Sequence, residues 1–363
     1  MGEDSCVRLP VRLLDLGEVS PLRSQAIYHG LAEAMTRDSP DTIALLRPAS
    51  PYFCVGFHQN PAEELDLAWC RREGYPVLHR RIGGGAVYLD WNQLFYQCIF
   101  HRSRAPFDVA SIYRRFLAAP VEALRGLGLD ARLSGVNEIE VGGRRIAGTG
   151  GGQIGEAMVV TGNILFDFGY DAMVRAWRVP SKTFRRLAAD GLRRHVTTLK
   201  RELWRIPSFE TVKGLLAENY AETLGRPVAP GSLTPGEEEL ISSAEAELAA
   251  PPPASKVGDR RGRGLKIARG VFVRERKVAI PTGFVRLTLR FRDGVIDDLA
   301  LDGAAPSWPL LTRALRGVGV GTLQERLRDI PAGDGQQAVA RLLAGAILAV
   351  KDEGQEPVVH AEG

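Results

Sequence analysis

Two glycine-rich stretches constrain this chain more than any other feature. Residues 80–87 read RRIGGGAV, and residues 144–156 read RRIAGTGGGQIGE. Glycine loses more backbone freedom on folding than any other residue, so a glycine run marks either a loose connection or a place where backbone comes very close to something. The first run lies between two β-type segments and lacks the GK[ST] of a Walker loop, and it does not open a helix as a dinucleotide fingerprint must. The sequence therefore predicts close-approach glycine segments within sheet-rich structure.

Arginine pairs precede both glycine stretches, at 80–81 and at 144–145. Exposed backbone N–H groups in a glycine turn, with guanidinium groups beside them, bind phosphate or carboxylate oxygens well. By itself the first stretch leaves an anion-binding loop and a structural turn equally open. The second stretch follows Asn137-Glu138, which offers oxygen ligands for a cation. Together the two stretches favour a phosphate ligand with a metal ion.

The pattern of apolar residues mixes strands and helices along the chain. Residues 11–17 are typical of a strand, and residues 20–35 show the spacing of a capped helix. Glycine-containing turns at 142–143 and 293–294 indicate β-hairpins. Because many strands are joined by short turns, the pattern favours an α+β fold with mixed and antiparallel sheets packed with helices, and not a doubly wound sheet.

A change in composition separates two predicted domains. Residues 227–257 have the character of a linker, or of an exposed connection with a short helix, and end in a run of prolines. We therefore predict one domain over residues 1–250 and a small α+β accessory domain over residues 251–363. Two further helices are predicted near the C-terminus, the second over residues 336–351.

Composition excludes several classes of protein. The 363 residues carry 47 basic and 43 acidic side chains, a net charge of +4 that is too small and too dispersed to indicate nucleic-acid binding. No stretch of about 18 apolar residues is present, so we expect no membrane span. The four cysteines show no zinc-binding or CxxC spacing, which is typical of a reduced, cytoplasmic protein.

At five places the chain resembles the lipoate–protein ligase branch of the biotin/lipoate ligase and transferase superfamily. RRIGGGAVYLD (80–90) is similar to the family's RRxSGGGAVxHD motif, and CVGFHQNPAEELD (54–66) to its VGxxQN segment. GVNEIEVGGRRIAGTG (135–150) resembles the GxNDxxxxGRKxSGxA segment, and VVTGNILFD (159–167) resembles the HHGTLLxN strand. Residues 264–330 resemble the accessory domain of bacterial ligases, so the resemblance covers most of the chain.

The resemblance implies a two-step reaction. The first step would activate the carboxylate of lipoate with ATP and Mg²⁺, giving lipoyl-adenylate and pyrophosphate. The second would transfer the lipoyl group to a lysine of an acceptor protein, such as a glycine-cleavage H-like protein, a dehydrogenase E2 lipoyl domain or a lipoate-binding protein. The apolar run AVYLDWNQLFYQ (86–97) is expected to form part of the tunnel for the acyl chain.

The resemblance also implies site residues. Arg145 stands where the family has a lysine and is the candidate catalytic residue, while Asn137 and Glu138 match the metal region. Positions matching those that line the acyl-adenylate are Arg80, Gly83, Gly84, Gly85, Ala86, Val87, Asn137, Gly148, Thr149, Gly150 and Gly162. Farther along, the sequence predicts that Lys182 is a solvated lysine at a helix start and that His195 is structural.

The arginine at position 145 keeps three functions open. Arginine is a planar fork that stays charged, so it could hold carbonyl and phosphate oxygens but could not act by losing a proton. The first hypothesis is an ATP-dependent lipoate–protein ligase. The alternatives are an ATP-independent octanoyl or lipoyl transferase, which needs a nucleophilic cysteine, and a non-catalytic lipoate-binding homologue. A biotin ligase is disfavoured, because the GRGRxGRxW pattern of that family is absent.

Overall fold

The computed structural model describes residues 10–250, 264–281, 283–303, 308–328 and 341–349. The chain divides into two compact units. The first comprises residues 1–178 and 196–257, and the second comprises residues 179–195 and 258–363. The division predicted at residue 250 keeps 179–195 in the first domain, whereas the fold places this segment in the second unit.

Two sheets form the frame of the first unit. Their strands are β1 (Val11–Val19), β2 (Thr42–Pro48), β3 (Tyr52–Val55), β4 (Val77–His79), β5 (Val87–Leu89), β6 (Gln93–His101), β7 (Ala131–Ser134), β8 (Glu138–Val141), β9 (Arg144–Ile154), β10 (Ala157–Leu165) and β11 (Val228–Pro230). The large sheet has the order β11-β1-β2-β6-β10-β9-β8-β7, and the small one β4-β3-β5. In the large sheet β1 runs parallel to both its neighbours and the other pairs are antiparallel. The predicted α+β class with mixed sheets is confirmed.

Nine helices precede the accessory sheet in the described part of the chain. They are α1 (Pro21–Glu33), α2 (Pro61–Glu64), α3 (Leu67–Arg72), α4 (Val109–Gly126), α5 (Tyr170–Ala176), α6 (Lys182–His195), α7 (Leu199–Glu202), α8 (Phe209–Leu224) and α9 (Pro235–Ala249). All except α6 belong to the first unit. Within the described ranges, no helix combines the length and the apolar character needed to cross a bilayer.

Local sequence signals account for where these helices begin. The Ser20 hydroxyl caps α1 by accepting from the Arg23 amide at 3.1 Å. A capping box formed by Thr234 and Glu237 starts α9. This helix lies against α1 so closely that a Cβ on Gly30 would be 2.5 Å from the Ile241 nitrogen. Of the two interpretations of residues 227–257, the connection that contains a helix agrees with α9, but this helix is packed and not exposed, because Ile241 and Ala244 are buried.

Alternate residues of the central strands build two cores. Tyr96 and Cys98 of β6 lie in a buried cluster with residues of α4 and α8. Phe95 and Ile99 of the same strand lie in a second cluster with residues of α1 and α9. Because successive residues of a strand project to opposite faces, the large sheet is covered on both sides. The second face also carries Ile82, and hence the first glycine stretch.

A buried carboxylate ties separate parts of the first unit together. Asp41 precedes β2 and is 1% exposed. Its side chain bonds Arg104 at 2.9 Å, accepts from the His101 amide at 3.1 Å and pairs with buried Arg226. A buried carboxylate must be paired in this way, because an unpaired charge away from water is very costly.

The second unit is a four-stranded antiparallel sheet with helices. Its elements are β12 (Leu265–Ala268), β13 (Val271–Ile280), β14 (Gly283–Arg292), β15 (Val295–Asp302), α10 (Trp308–Leu315) and α11 (Leu323–Arg328). The predicted hairpin turn at 293–294 is confirmed, with φ of +49° and +78° at its two residues. Residues 341–349 are helical, and the remainder of the helix predicted over 336–351 lies outside the described residues.

Helix α6 is held in the second unit by a buried arginine. Arg290 of β14 is 0% exposed, and its Nη1 donates to the Leu187 carbonyl at 2.9 Å and to Asp190 at 2.8 Å. Its Nε bonds Asp297, which also faces His195 at 3.5 Å. His195, for which the sequence shows no evident partner, therefore has one. Lys182 is the first residue of α6.

Candidate functional site

The Arg80 side chain forms hydrogen bonds with the backbone of the first glycine stretch. This side chain is buried, and each of its three nitrogens donates to a main-chain carbonyl. Nη1 reaches the Cys54 carbonyl at 3.2 Å, while Nη2 reaches the carbonyls of Gly83 at 3.0 Å and Gly85 at 2.9 Å. Arg80 therefore organises residues 83–85 into a fixed loop, which we call the glycine loop.

Close contacts explain why glycines are needed here. Gly84 has a φ of +106°, and a Cβ on it would lie 2.7 Å from Arg80 Nη2. A Cβ on Gly56, the residue after β3, would lie 1.9 Å from the Gly84 carbonyl oxygen. The Phe57 amide also donates to the Ile82 carbonyl at 3.0 Å. The glycine loop is therefore packed tightly against the end of β3 and is not a loose connection.

Arg81 points away from the glycine loop. Its guanidinium pairs with Glu33 at the end of α1 and with Glu247 of α9. The interpretation that both arginines of the pair offer charge directly to a ligand therefore differs from the structure. Arg80 holds the loop, and Arg81 joins two helices.

The fold brings the two glycine stretches together. A Cβ on Gly150 of β9 would lie 3.1 Å from the Gly83 carbonyl oxygen and 3.6 Å from Ile82 Cδ1. A Cβ on Gly152 would lie 3.7 Å from Ile82 Cγ2. The absence of side chains on β9 thus leaves room for the glycine loop to lie directly over the sheet.

Amide side chains connect β9 with the strands beside it. Asn163 of β10 accepts from the Gly148 amide at 3.1 Å and donates to Gln93 of β6. Gln93 in turn donates to the Tyr88 carbonyl of β5 at 3.1 Å. Sequence reasoning did not select Asn163 or Gln93, although Asn163 lies in a segment that carries the family resemblance and Gln93 lies in the run expected to form the acyl tunnel. The signal that could have found them is a polar residue within an otherwise apolar strand.

Asn137 is held through its backbone. The Thr149 hydroxyl donates to its main-chain carbonyl, and its side chain lies near the Tyr113 phenol of α4. Burial raises the pKa of the Tyr113 phenol, so this group stays protonated. A Cβ on Gly151 would lie 3.1 Å from the Tyr113 hydroxyl oxygen. Tyr113 belongs to an ordinary helical pattern and gave no sequence signal of a role beside the predicted site.

Arg145 and Glu138, which the sequence assigned to different roles, form a pair. Arg145 Nη1 lies 3.7 Å from a Glu138 carboxylate oxygen, with side-chain exposures of 25% and 8%. The Arg145 carbonyl accepts from the Thr197 amide at 2.8 Å, which fixes the backbone at this point. The guanidinium is therefore partly open to solvent and is oriented by a buried carboxylate.

The remaining predicted residues lie at different depths. Val87, in β5, packs against the cluster that contains Ile82, and Ala86 is half-buried beside it. Gly162 of β10 is buried against Tyr96, whose hydroxyl oxygen would lie 2.2 Å from a Cβ. Tyr96 belongs to the core under α4 and α8. Gly162 thus lies on the face opposite to the glycine loop.

Residues 20–221 match the family model described as the lipoyl protein ligase A/B catalytic domain. The matched range contains the glycine loop, the clamped strand end at Gly56 and the glycines of β9. The chain belongs to this family. The suspected resemblance to lipoate–protein ligases is thereby confirmed at the level of the family, and the chain is an enzyme homologue of lipoate ligases and octanoyltransferases.

Proteins named as octanoyltransferases and proteins named as lipoate ligases both resemble this chain. The octanoyltransferase LipM of Symbiobacterium thermophilum is 27% identical over 251 residues, which cover 63% of this chain and 91% of that protein. A bipartite lipoate protein ligase from the lipoylation system of Thermoplasma acidophilum has a TM-score of 0.61 and 25% identity, covering 66% of this chain and 93% of that one. A lipoate-protein ligase A bound with ATP shares the fold, with a TM-score of 0.57, 24% identity and coverages of 66% and 95%.

The described cysteines of this lipoyl ligase homologue are buried thiols. Cys54, Cys70 and Cys98 are each 0% exposed. Burial raises the pKa of Cys54, and it raises the pKa of Cys70 to about 11 and that of Cys98 to about 12. Thiols with raised pKa values are poor nucleophiles, since the thiolate is the reactive form. Cys6, the fourth cysteine, lies outside the described residues.

The donor groups do not fit a Mg²⁺ site made by the protein alone. Among the residues that the structure describes, no group of three or more His, Cys, Asp or Glu side chains could hold a metal ion. Of the two predicted ligands, Glu138 pairs with Arg145. That Asn137 and Glu138 hold a metal ion together with substrate oxygens stays a prediction.

Proposed function

We propose that the chain is an ATP-dependent lipoate–protein ligase, which activates lipoate to lipoyl-AMP and transfers the lipoyl group to a lysine of an acceptor protein. The observation that carries the proposal is the glycine loop held over the glycines of β9, while the described cysteines are buried thiols. Such an arrangement suits an adenylate intermediate held by backbone and does not suit a thioester intermediate.

In the first step a carboxylate oxygen of lipoate would attack the α-phosphorus of ATP, and pyrophosphate would leave. Negative charge develops on the phosphate oxygens, so fixed donors that are already in place lower the barrier. Gly84 and Gly85 are exposed at the tip of the glycine loop, where main-chain groups can approach an anion. Because Arg80 fixes the loop beforehand, little reorganisation is needed on binding.

Arg145 is the candidate for a side-chain contact with the adenylate. Its guanidinium presents donors that match phosphate and carboxyl oxygens. Pairing with Glu138 orients it without burying it fully. It would stabilise charge in both steps, but it would not take the proton from the acceptor lysine. That proton must leave to another group when the amine attacks the acyl carbonyl and AMP departs.

A second candidate function is an ATP-independent octanoyl or lipoyl transferase. It is favoured by the relative named octanoyltransferase, which this chain covers almost entirely. That reaction would need a thiolate, and the surroundings of Cys54 and Cys98 disfavour one. We therefore place the transferase second.

The test distinguishes the two candidate functions by the source of the acyl group, which is free lipoate with ATP for the ligase and an acylated carrier protein for the transferase. The purified chain is incubated with ATP, Mg²⁺ and lipoate, and pyrophosphate release and lipoyl-AMP are measured. Acceptor proteins (an H-like protein, an E2 lipoyl domain and a lipoate-binding protein) are then added. Intact-protein mass spectrometry measures whether each acceptor gains the mass of one lipoyl group. If the chain is a ligase, lipoyl-AMP should form without an acceptor protein, and the mass gain of the acceptor should require ATP.

Parallel reactions use an octanoylated carrier protein without ATP, with wild type and with Cys54→Ser and Cys98→Ser. Acyl transfer that disappears in either variant would establish the transferase and refute the ligase. Lipoate binding without adenylate or transfer under any condition would instead indicate a non-catalytic homologue.

A further inference from the structure

A row of residues crosses the large sheet on the face that carries the glycine loop. Gly150 of β9 pairs with Thr161 of β10, and Thr161 pairs with Gln97 of β6. Directly paired residues of antiparallel strands project to the same face. The Gly83 carbonyl lies over the Gly150 end, and α1 covers the Gln97 end, where Gln97 Nε2 donates to the Ser24 carbonyl at 2.8 Å.

The row becomes more buried as it leaves the glycine loop. Gly150 and Thr161 are half-buried, whereas Gln97 is 1% exposed. Gly150 has no side chain and Thr161 a short one, so these two residues project little bulk from the sheet. Two strand spacings separate Gly150 from Gln97, a distance of about 10 Å. An eight-carbon acyl chain, with seven zigzag bonds of about 1.5 Å, has a similar length.

The buried end of the row presents a hydrogen-bond acceptor. Nε2 of Gln97 must face the Ser24 carbonyl, because a carbonyl only accepts hydrogen bonds. The other amide atom, Oε1, is buried, and no group in the described part of the chain donates to it. An acceptor buried without a donor is costly, so it indicates that a donor belongs there.

We propose that the acyl chain of the substrate lies along this row and that Gln97 Oε1 accepts a hydrogen bond from the far end of the chain. The proposal rests on the proposed function, since it takes the glycine loop as the site of the carboxylate. The reduced form of lipoate ends in thiols that donate hydrogen bonds, whereas octanoate ends in a methyl group and oxidised lipoate has no S–H donor. Dihydrolipoate should therefore bind about three- to tenfold more tightly than octanoate or oxidised lipoate, the contribution of one modest hydrogen bond.

The experiment measures dissociation constants of dihydrolipoate, oxidised lipoate, octanoate and hexanoate by calorimetry, for wild type and Gln97→Met. Methionine keeps the length of the side chain but removes the amide. The variant should bind octanoate at least as tightly as wild type and lose the preference for dihydrolipoate. Gln153→Met is the matched control, because Gln153 is an exposed glutamine of β9 whose side-chain amide donates to the Gly155 carbonyl. It should leave all four constants unchanged.

A second variant tests the course of the chain independently of Gln97. Thr161→Leu adds volume to the middle of the row, so it should weaken octanoate and dihydrolipoate about tenfold while affecting hexanoate less. Circular dichroism melting curves establish that each variant is folded. If Gln97→Met does not fold, Thr161→Leu and the wild-type preference still decide the proposal.

Three results would overturn this inference. They are equal wild-type affinities for dihydrolipoate and octanoate, an unchanged preference in folded Gln97→Met, and unchanged chain-length selectivity in Thr161→Leu. The proposed function fails in a different way, by the absence of binding and activation of all four acids. The two failures are therefore distinguishable.

Discussion

Replacing Arg80 with methionine should destabilise the glycine loop and impair ligand binding. The substitution removes the donors for three carbonyls, those of Cys54, Gly83 and Gly85. Gly85 is exposed and Gly83 half-buried, so water can replace the lost bonds there. Cys54 is fully buried, and its carbonyl lies beneath the loop. The loss should therefore be concentrated at that carbonyl.

The expected magnitude follows from these surroundings. A hydrogen bond from a charged donor contributes about 1.5–3 kcal/mol, and leaving a buried acceptor unpaired costs about 1–3 kcal/mol. Allowing for rehydration at the two glycines, the free energy of unfolding should fall by about 3 kcal/mol. For a unit of this size that corresponds to a melting temperature lower by about 6–12 °C.

The neighbouring arginine supplies a matched control. Arg81→Met removes a guanidinium that is 38% exposed and pairs with Glu33 and Glu247 at the surface. Exposed pairs contribute about 0–1 kcal/mol, so this variant should melt close to wild type. Thermal unfolding and the KM values for ATP and lipoate in pyrophosphate release are measured for both. Equal melting temperatures and equal KM values for the two variants would refute the structural role assigned to Arg80.

Three further predictions use other parts of the first unit. Arg145→Ala should lower lipoyl-AMP formation about hundredfold in protein that a melting curve shows to be folded; unchanged pyrophosphate release would exclude Arg145 from the site. Asp41→Ala should lower the free energy of unfolding in urea by about 3–5 kcal/mol, because it removes the buried carboxylate that pairs with Arg226 and Arg104, and a loss below about 1 kcal/mol would contradict this. Burial raises the pKa of Cys98 to about 12 from an ordinary 9, so the free energy of unfolding should decline as pH rises from about 9 toward 12. Cys98→Ala should show a shallower decline in the same range, and equal slopes of unfolding free energy against pH in the two proteins would contradict this prediction.

The glycine motifs were readable from the sequence because their chemistry is local. Glycine runs beside β-type segments restrict the backbone whatever the rest of the chain does, and the hairpin turn at 293–294 has the same local cause. The α+β class followed from the spacing of strands and helices. These predictions were confirmed since each rests on a few neighbouring residues.

The roles of the charged residues near the motifs could not be read in this way. A pair of arginines is equally suited to a ligand, a carbonyl or a carboxylate, and only the fold shows which of these lies within reach. Arg80 meets carbonyls, Arg81 meets two glutamates of distant helices, and Arg145 meets Glu138. The packing of the helix over 235–249 could not be read either, because only the fold shows that Ile241 and Ala244 are buried and that the helix lies against α1.

By itself the sequence determined the family, the mixed sheets and the places where backbone must come close. Only the tertiary structure decided that Gly83 lies over Gly150, that Gly162 faces the opposite core and that Gln97 stands at the buried end of the same row. The physical reason is that side-chain contacts between residues far apart along the chain are set by strand order and register. Neither strand order nor register can be read from local propensity.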